Sequence, residues 1–147
     1  MKKVYAKVVA DLMHPGHVQF FRRAKSLGDF LTVNVVSDDR VALAKRRPIM
    51  STEERVQMVS ACRYVDDVIT DGPKVITREF MNARGFRIYA FGASGADELQ
   101  IKLADCEDLP AEMKALVDYS TGISTTDIIT RIMSRMDDER SHQSVRR

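Results

Sequence analysis

Two histidines lie three residues apart near the start of the chain. His14 and His17 are two of the three histidines in the sequence, and Gly16 lies between them. The apolar, β-branched run at residues 4–10 predicts a buried strand before them, and the apolar spacing at residues 17–27 predicts a helix after them. A helix N-terminus has unpaired N–H groups and a partial positive charge. Two imidazoles at such a turn favour binding of a highly charged anion, such as a phosphate chain.

Two other interpretations of the imidazoles stay open on the residues alone. A zinc ion needs a third and usually a fourth ligand. The remaining candidates are His142 in a polar tail and Cys62 on a predicted helix. A surface turn without a ligand is the second alternative.

A second motif of the same kind occurs near the C-terminus. The sequence Gly-Ile-Ser-Thr-Thr at residues 122–126 precedes an apolar stripe with helical spacing. Ser124 is suited to cap that helix, with Asp127 as the acid of a capping box. Hydroxyls and free N–H groups at a helix start also bind phosphate. The motif therefore predicts either a helix cap alone or a second contact to the same phosphate chain.

Basic residues cluster between the two motifs. Lys45, Arg46 and Arg47 are consecutive, in a stretch that we interpret as a loop or a short helix running into a loop. They suit a clamp over a phosphate group that also steers anions, or an ordinary solvated loop. A nucleic-acid patch is a third alternative, but no aromatic stacking platform accompanies the charges. Arg55 and Arg63 share one predicted helical segment, where each could instead form a structural ion pair.

Strand and helix patterns alternate along the chain. This alternation predicts an α/β fold, an open parallel sheet of about five strands with helices on both faces. We expect one domain at residues 1–136 and a polar C-terminal tail at 137–147 that frays. The predicted strands are 4–10, 30–36, 64–69, 87–91 and 114–118. The predicted helices are 17–27, one starting at Ser51 or Thr52, 74–84, 96–104 and one starting after Ser124.

The candidate residues follow predicted strands. In open α/β sheets, ligands bind beyond the carboxyl ends of the strands, where the strand order reverses. His14, the basic stretch, Gly92 and the 122–126 turn each come after a strand. We therefore expect them to share one edge of the sheet.

Composition narrows the protein class but not the partner. The chain has 147 residues, 44% hydrophobic and 30% charged, with a formal net charge of only +2. Cys62 and Cys106 form no CxxC pair, which is compatible with a reducing compartment. No run approaches membrane-spanning length, and no apolar stretch of the kind found in secretory leaders stands before the first predicted strand. We expect a cytoplasmic protein without membrane insertion.

The two motifs together resemble those of nucleotidyltransferases of the cytidylyltransferase type. Asp11-x-x-His14-x-Gly16-His17 and the 122–126 turn stand in the order and at the spacing of that family, and the similarity covers about residues 4–135. The family includes the glycerol-3-phosphate, ethanolamine-phosphate and choline-phosphate cytidylyltransferases, which the chain resembles. The resemblance implies a Rossmann-like domain that uses CTP with Mg²⁺ carried by the nucleotide phosphates, acts on a small phosphorylated acceptor and releases pyrophosphate. The segment Arg63–Asp66 resembles one found at the family's subunit interface, which implies a homodimer.

The resemblance also implies a role for particular residues. His14, His17 and Lys45 would be catalytic, with the two imidazoles stabilising the transition state. The acceptor phosphate would be bound by Arg46, Arg47, Arg55 and Lys74. The nucleotide would be bound by Val9, Ala10, Asp11, Gly16, Arg63, Gly92, Gly122, Ile123, Ser124, Thr125 and Thr126. No general base is required if the nucleophile is a phosphate, because that group is already ionised near pH 7.

Three parts of the sequence depart from the family pattern. Val8-Val9-Ala10 replaces the usual Gly-Thr-Phe, Tyr119 replaces an arginine, and Ala93-Ser94 replaces an acidic pair. These changes concern two specificities: which acceptor is used and which nucleobase the nucleotide carries. An acceptor of the phosphonate type, an adenylyltransferase that uses ATP on a sugar phosphate, and a nucleotide-sensing module without turnover are therefore alternatives to the leading prediction.

Overall fold

The computed structural model describes residues 1–44, 46–117 and 122–145. Its strands are β1 (Lys3–Val8), β2 (Phe30–Val35), β3 (Asp67–Ile69), β4 (Phe86–Phe91) and β5 (Lys114–Leu116). Its helices are α1 (Pro15–Lys25), α2 (Asp38–Ala44), α3 (Thr52–Ser60), α4 (Arg78–Arg84), α5 (Ala96–Asp105) and α6 (Thr125–Val145), with a 3₁₀ turn at Ala111–Met113.

All strand pairs are parallel, in the order β3-β2-β1-β4-β5. From the central strand β1, the chain adds β2 and then β3 on one side. It then crosses to the other side of β1, where it adds β4 and β5. The strand order therefore reverses between β1 and β4. This Rossmann-like arrangement confirms the predicted fold class.

The two faces of the sheet carry different cores because side chains alternate along each strand. Val4 and Ala6 of β1 are fully buried in the cluster that includes Phe21 of α1 and Val59 of α3. Tyr5 faces the opposite cluster, which includes Met81 of α4. Helices thus cover both faces, as predicted.

Two predicted elements begin later than the sequence pattern indicates. Tyr64 and Val65, predicted as strand, lie in a turn in which the Val65 N–H donates to the Cys62 carbonyl, so β3 starts at Asp67. Residues 74–77, predicted as helix, are not helical. The Ile76 N–H donates instead to the Asp105 carbonyl, and the Thr77 hydroxyl caps α4 through the Phe80 N–H.

The last helix is longer than predicted. The capping box of Ser124 and Asp127 is present. The Asp127 N–H donates to Ser124 Oγ with an N···O distance of 3.1 Å, and the Ser124 N–H donates to Asp127 Oδ2 at 3.0 Å. Beyond it α6 continues to Val145, so the predicted boundary at residue 136 is not a break in secondary structure. No α6 residue is buried. The expected fifth-strand residue Asp118 lies outside the described residues.

Candidate active site

A cavity of about 590 Å³ opens at the carboxyl edge of the sheet, between the ends of β1 and β4. This is the point where the strand order reverses, the usual ligand position in such sheets. The cavity brings together many of the predicted residues. They are Val9, Ala10, Asp11, His17, Arg46, Gly92, Thr125 and Thr126.

The two imidazoles cap α1 as a reciprocal pair. The Gly16 N–H donates to His14 Nδ1 at 3.0 Å, and the His14 N–H donates to His17 Nδ1 at 3.1 Å. The two ring centroids lie 3.9 Å apart. A Cβ at Gly16 would lie 2.7 Å from His14 Cε1, so glycine is required for the ring to fold back onto the helix start.

These bonds assign the protonation of both rings. A ring nitrogen that accepts a hydrogen bond carries no proton, so each neutral imidazole has its proton on Nε2. Burial, followed by the neighbouring His14, lowers the pKa of His17 to about 4. Burial also lowers the pKa of His14. Near pH 7 the pair is therefore neutral, and each ring keeps one N–H donor.

The second motif is bonded directly to the first. Thr125 Oγ1 donates to the Asp11 carbonyl at 2.9 Å. The Ile123 carbonyl oxygen also lies close to Gly16, since a Cβ added to this glycine would be 3.2 Å from it. The 122–126 turn therefore packs against the start of α1. Gly122 has φ +148°, a conformation that favours glycine. The N-termini of α1 and α6 thus meet beside the cavity, as the sequence predicted for residues 122–126.

Asp11 is a structural junction as well as a lining residue. Its two carboxylate oxygens accept the N–H groups of Ile49 and Met50, each at 2.9 Å. Ala10 and Leu12 on either side have φ of 57° and 50°, unusual for residues with a Cβ. The carboxylate therefore fixes the segment after α2 against a strained turn.

The basic stretch contributes one described residue to the cavity. Arg46 lines it beside Pro48. Arg47 is exposed and is not among the lining residues. Lys45, predicted to be catalytic, lies outside the described residues.

Arg55 is not available to an acceptor phosphate, so that prediction is wrong. Its side chain is fully buried. Nη1 donates to the carbonyls of Val9 and Val36 at 2.8 and 2.7 Å, and Nε donates to the Met50 carbonyl at 3.1 Å. Nη2 donates to Asp38 at 2.6 Å and to Thr52 at 3.3 Å. All five N–H groups are used, and the bond from Arg55 lowers the pKa of Asp38.

Arg63 and Lys74 are also placed away from the cavity. Arg63 is exposed and lines a separate concavity with Met13, Val18, Met58, Ala61, Cys62 and Tyr64. Lys74 is exposed in the loop after β3 and does not line the cavity. Neither position matches the predicted contact to nucleotide or acceptor phosphate within this chain.

Sequence reasoning missed three charged lining residues. They are Lys7 on β1 and the pair Glu98 and Lys102 on α5. Lys102 Nζ lies 3.0 Å from Glu98 Oε1 and also donates to the Gly92 carbonyl. The signals were a lysine within an apolar strand and an acid–lysine pair at i,i+4.

Among the described residues, no three His, Cys, Asp or Glu side chains are grouped so as to hold a metal ion. In the same part of the chain, no helix has the length and apolar character needed to cross a membrane. The two cysteines, Cys62 and Cys106, are buried and free.

A parallel sheet with two helix N-termini at its switch point is an arrangement in which many α/β proteins bind phosphate groups. The sequence places the chain more narrowly. Residues 9–131 match the model of the family described as cytidylyltransferase-like. The chain belongs to this family, which confirms the resemblance.

The chain is similar to curated enzymes over most of its length. It is 36% identical to the ethanolamine-phosphate cytidylyltransferase of Arabidopsis thaliana, covering 89% of this chain and 32% of that one. It is 34% identical to the choline-phosphate cytidylyltransferase A of Mus musculus, covering 92% and 37%. The chain therefore spans about a third of the length of these relatives.

A solved structure has a similar fold. The lipopolysaccharide core biosynthesis protein from Thermoplasma volcanium aligns with a TM-score of 0.61 and 25% identity. The alignment covers 84% of this chain and 99% of that one.

The depressed pKa of His17 predicts a pH-dependent stability. Between pH 6.5 and about 4 the unfolded imidazole binds a proton that the folded one does not, so stability falls as pH falls. We expect the free energy of unfolding to drop by roughly 2–3 kcal/mol from pH 7 to pH 4 through this group. Urea denaturation of the wild type and of His17→Gln measures it. An equal pH slope in both proteins would contradict the assignment.

Arg55→Met should lower the free energy of unfolding by about 3–5 kcal/mol, because it removes the side-chain donor to three partly buried carbonyls, those of Val9, Val36 and Met50. The matched control is Arg87→Met on the exposed side of β4, expected within about 0.5 kcal/mol of wild type. Denaturant titration of both variants provides the comparison. If the two variants were equally stable, Arg55 would not be the structural residue described here.

Proposed function

We propose that this chain transfers CMP from CTP to an oxygen of a small phosphate- or phosphonate-bearing alcohol, with release of pyrophosphate. The junction of two helix N-termini beside the cavity, closed by the bond from Thr125 to Asp11, supports this best. Such a junction supplies N–H donors and partial positive charge to a triphosphate from two directions. The names of the similar enzymes agree with this class of reaction.

The proposed chemistry is a single displacement at phosphorus. An oxygen of the acceptor phosphate attacks the α-phosphorus of CTP and forms a new P–O bond, while the bond to the pyrophosphate oxygen breaks. The acceptor phosphate is ionised near pH 7, so its oxygen needs no general base. The protein must mainly align the reactants and stabilise the charge that develops.

His14 and His17 are the proposed catalytic donors. Their Nδ1 atoms are occupied by backbone N–H groups, which fixes the rings and leaves the Nε2–H groups as donors. An N–H donor held in place before the reaction stabilises developing phosphate charge without reorganisation. Lys45 is proposed to add positive charge next to the phosphates of the nucleotide. Arg46 and Arg47 are proposed to bind the acceptor phosphate.

Magnesium is proposed to accompany the nucleotide. Most polar groups around the cavity are N–H, O–H or ammonium donors, which suit phosphate oxygens. The lining carboxylates, Asp11 and Glu98, already accept hydrogen bonds. These residues fit an ion that is carried by triphosphate oxygens, where it would neutralise charge.

A homodimer is part of the proposal. The segment Arg63–Asp66 resembles the interface segment of the family, and it borders the second concavity, where Met58 is 45% exposed. Pairing of this surface with its copy would cover the exposed apolar side chains.

Pyrophosphate release with Mg²⁺ tests the reaction directly. We expect turnover with CTP and one member of a panel of small phosphates and phosphonates. Turnover with ATP alone would replace the proposal with an adenylyltransferase. CTP binding without turnover on the whole panel would favour a sensing module.

His17→Ala should lower kcat by about two orders of magnitude or more, the scale of losing one transition-state donor, while CTP affinity changes only a few-fold. Steady-state kinetics and CTP titration measure the two quantities. The control is His142→Ala, which changes the exposed histidine on α6. An unchanged kcat in His17→Ala would remove the imidazole from the catalytic machinery.

Met58→Asp should convert the proposed dimer to a monomer, because it puts a charge into the apolar concavity. Val75→Asp is the matched control, since Val75 is 47% exposed in another part of the chain. Sedimentation velocity separates the two states. A wild-type protein that sediments as a monomer, or a Met58→Asp variant that stays dimeric, would contradict this interface.

A further inference from the structure

Lys7 brings a positive charge into the cavity from the face of the sheet opposite to α1. Side chains alternate along β1, so Lys7 projects on the same face as Tyr5, whereas α1 packs on the face of Val4 and Ala6. Lys7 is nevertheless a lining residue of the cavity. Lys7 thus borders the cavity on the side away from the two imidazoles.

The Lys7 amine is held in place from two directions. Nζ donates to the Lys74 carbonyl at 2.9 Å and lies 3.7 Å from Asp105 Oδ2. The side chain is only 18% exposed. Burial lowers the pKa of Lys7, with Asp105 opposing and Arg40 and Lys102 adding to the shift. An ammonium group has three N–H donors, so these two neighbours leave capacity for a ligand.

The direction of attack indicates which reactant occupies the Lys7 side of the cavity. In a displacement at phosphorus, the attacking and leaving oxygens lie roughly in line. The pyrophosphate is proposed to leave towards the N-termini of α1 and α6. The acceptor therefore enters from the opposite side, the side on which Lys7 lies.

The charges around the cavity do not suit a cationic acceptor. Among the described lining residues the carboxylates are those of Asp11 and Glu98. Both oxygens of Asp11 accept backbone N–H groups, and Glu98 is bonded to Ser94 and Lys102. Phe20 is the one aromatic side chain in that set, whereas quaternary ammonium groups are recognised by cages of several rings.

We infer that Lys7 selects an acceptor with an oxygen function, either a hydroxyl or a carboxylate, at the end remote from its attacking phosphate. An acceptor with an ammonium group at that end is rejected, because it would meet the amine of Lys7, and the carboxylate beside that amine, Asp105, is already paired with it. This specificity rests on the proposed function, and it separates the chain from the aminoalcohol-phosphate enzymes that its relatives are named for.

Acceptor binding tests the inference independently of turnover. Calorimetric titrations would use the full chain with Mg²⁺ and the non-hydrolysable α,β-methylene analogue of CTP. The acceptors are glycerol 3-phosphate, 3-phosphoglycerate and ethanolamine phosphate, which end in a hydroxyl, a carboxylate and an ammonium. We expect one of the first two to bind at least about tenfold more tightly than the third, the scale of one hydrogen bond to a charged group.

Variants at Lys7 identify the group responsible. Lys7→Met should weaken the preferred acceptor at least about tenfold and leave the affinity for the CTP analogue within about twofold. Lys7→Gln keeps an N–H donor without charge, so it should retain a hydroxyl acceptor and lose a carboxylate acceptor. Lys3→Met on the same strand face is the matched control, since Lys3 lies at the far end of β1.

Several results would overturn the inference. They are equal or tighter binding of ethanolamine phosphate, no binding of either oxygen-bearing acceptor, an unchanged acceptor affinity in both Lys7 variants, or a loss of affinity confined to the CTP analogue. If an oxygen-bearing acceptor binds through Lys7 but no CMP transfer follows with CTP, the specificity stands and the proposed reaction fails.

Discussion

One residue, Asp11, bonds the turn after β1 to two other parts of the cavity. Its carboxylate accepts the N–H groups at residues 49 and 50, and its carbonyl accepts the hydroxyl of Thr125. These bonds span 38 to 114 residues of sequence. They offset the cost of the left-handed φ values at Ala10 and Leu12. The position of the imidazoles relative to the second motif depends on this junction.

Arg55 stabilises the same turn through a hydrogen bond to the backbone just before it. By donating to the carbonyls of Val9 and Val36, it satisfies the backbone oxygens where β1 and β2 end. A strand that ends at a cavity leaves carbonyls without a partner strand, and a buried one must be paired. The guanidinium fulfils this need with its planar set of five donors, and Asp38 balances its charge. The geometry of this edge of the sheet thus relies on a cation that does not line the cavity.

The elements and the switch-point cavity could be predicted because they follow from local pattern. Apolar runs, helix caps and the His14–His17 turn are all short-range signals. The roles of Arg55, Arg63 and Lys74 could not be predicted in this way. An arginine has the same donors for a phosphate as for a backbone carbonyl, so only the fold around Arg55 distinguishes the two. The extension of α6 was missed because a polar helix without a buried face has the composition of a tail.

The role proposed for Lys7 illustrates why acceptor specificity is harder to predict than the class of reaction. The reaction needs groups at the phosphates, and those occur in contiguous motifs that a single sequence displays. In the proposed reaction the acceptor's remote end would be met by side chains from separate elements, here β1 and α5, whose proximity comes from the sheet topology. A lysine in an apolar strand is conspicuous only once the strand is known to end at the cavity. Two chains can therefore share both phosphate motifs and still differ in acceptor, because the charge at this remote position is independent of the phosphate-binding motifs.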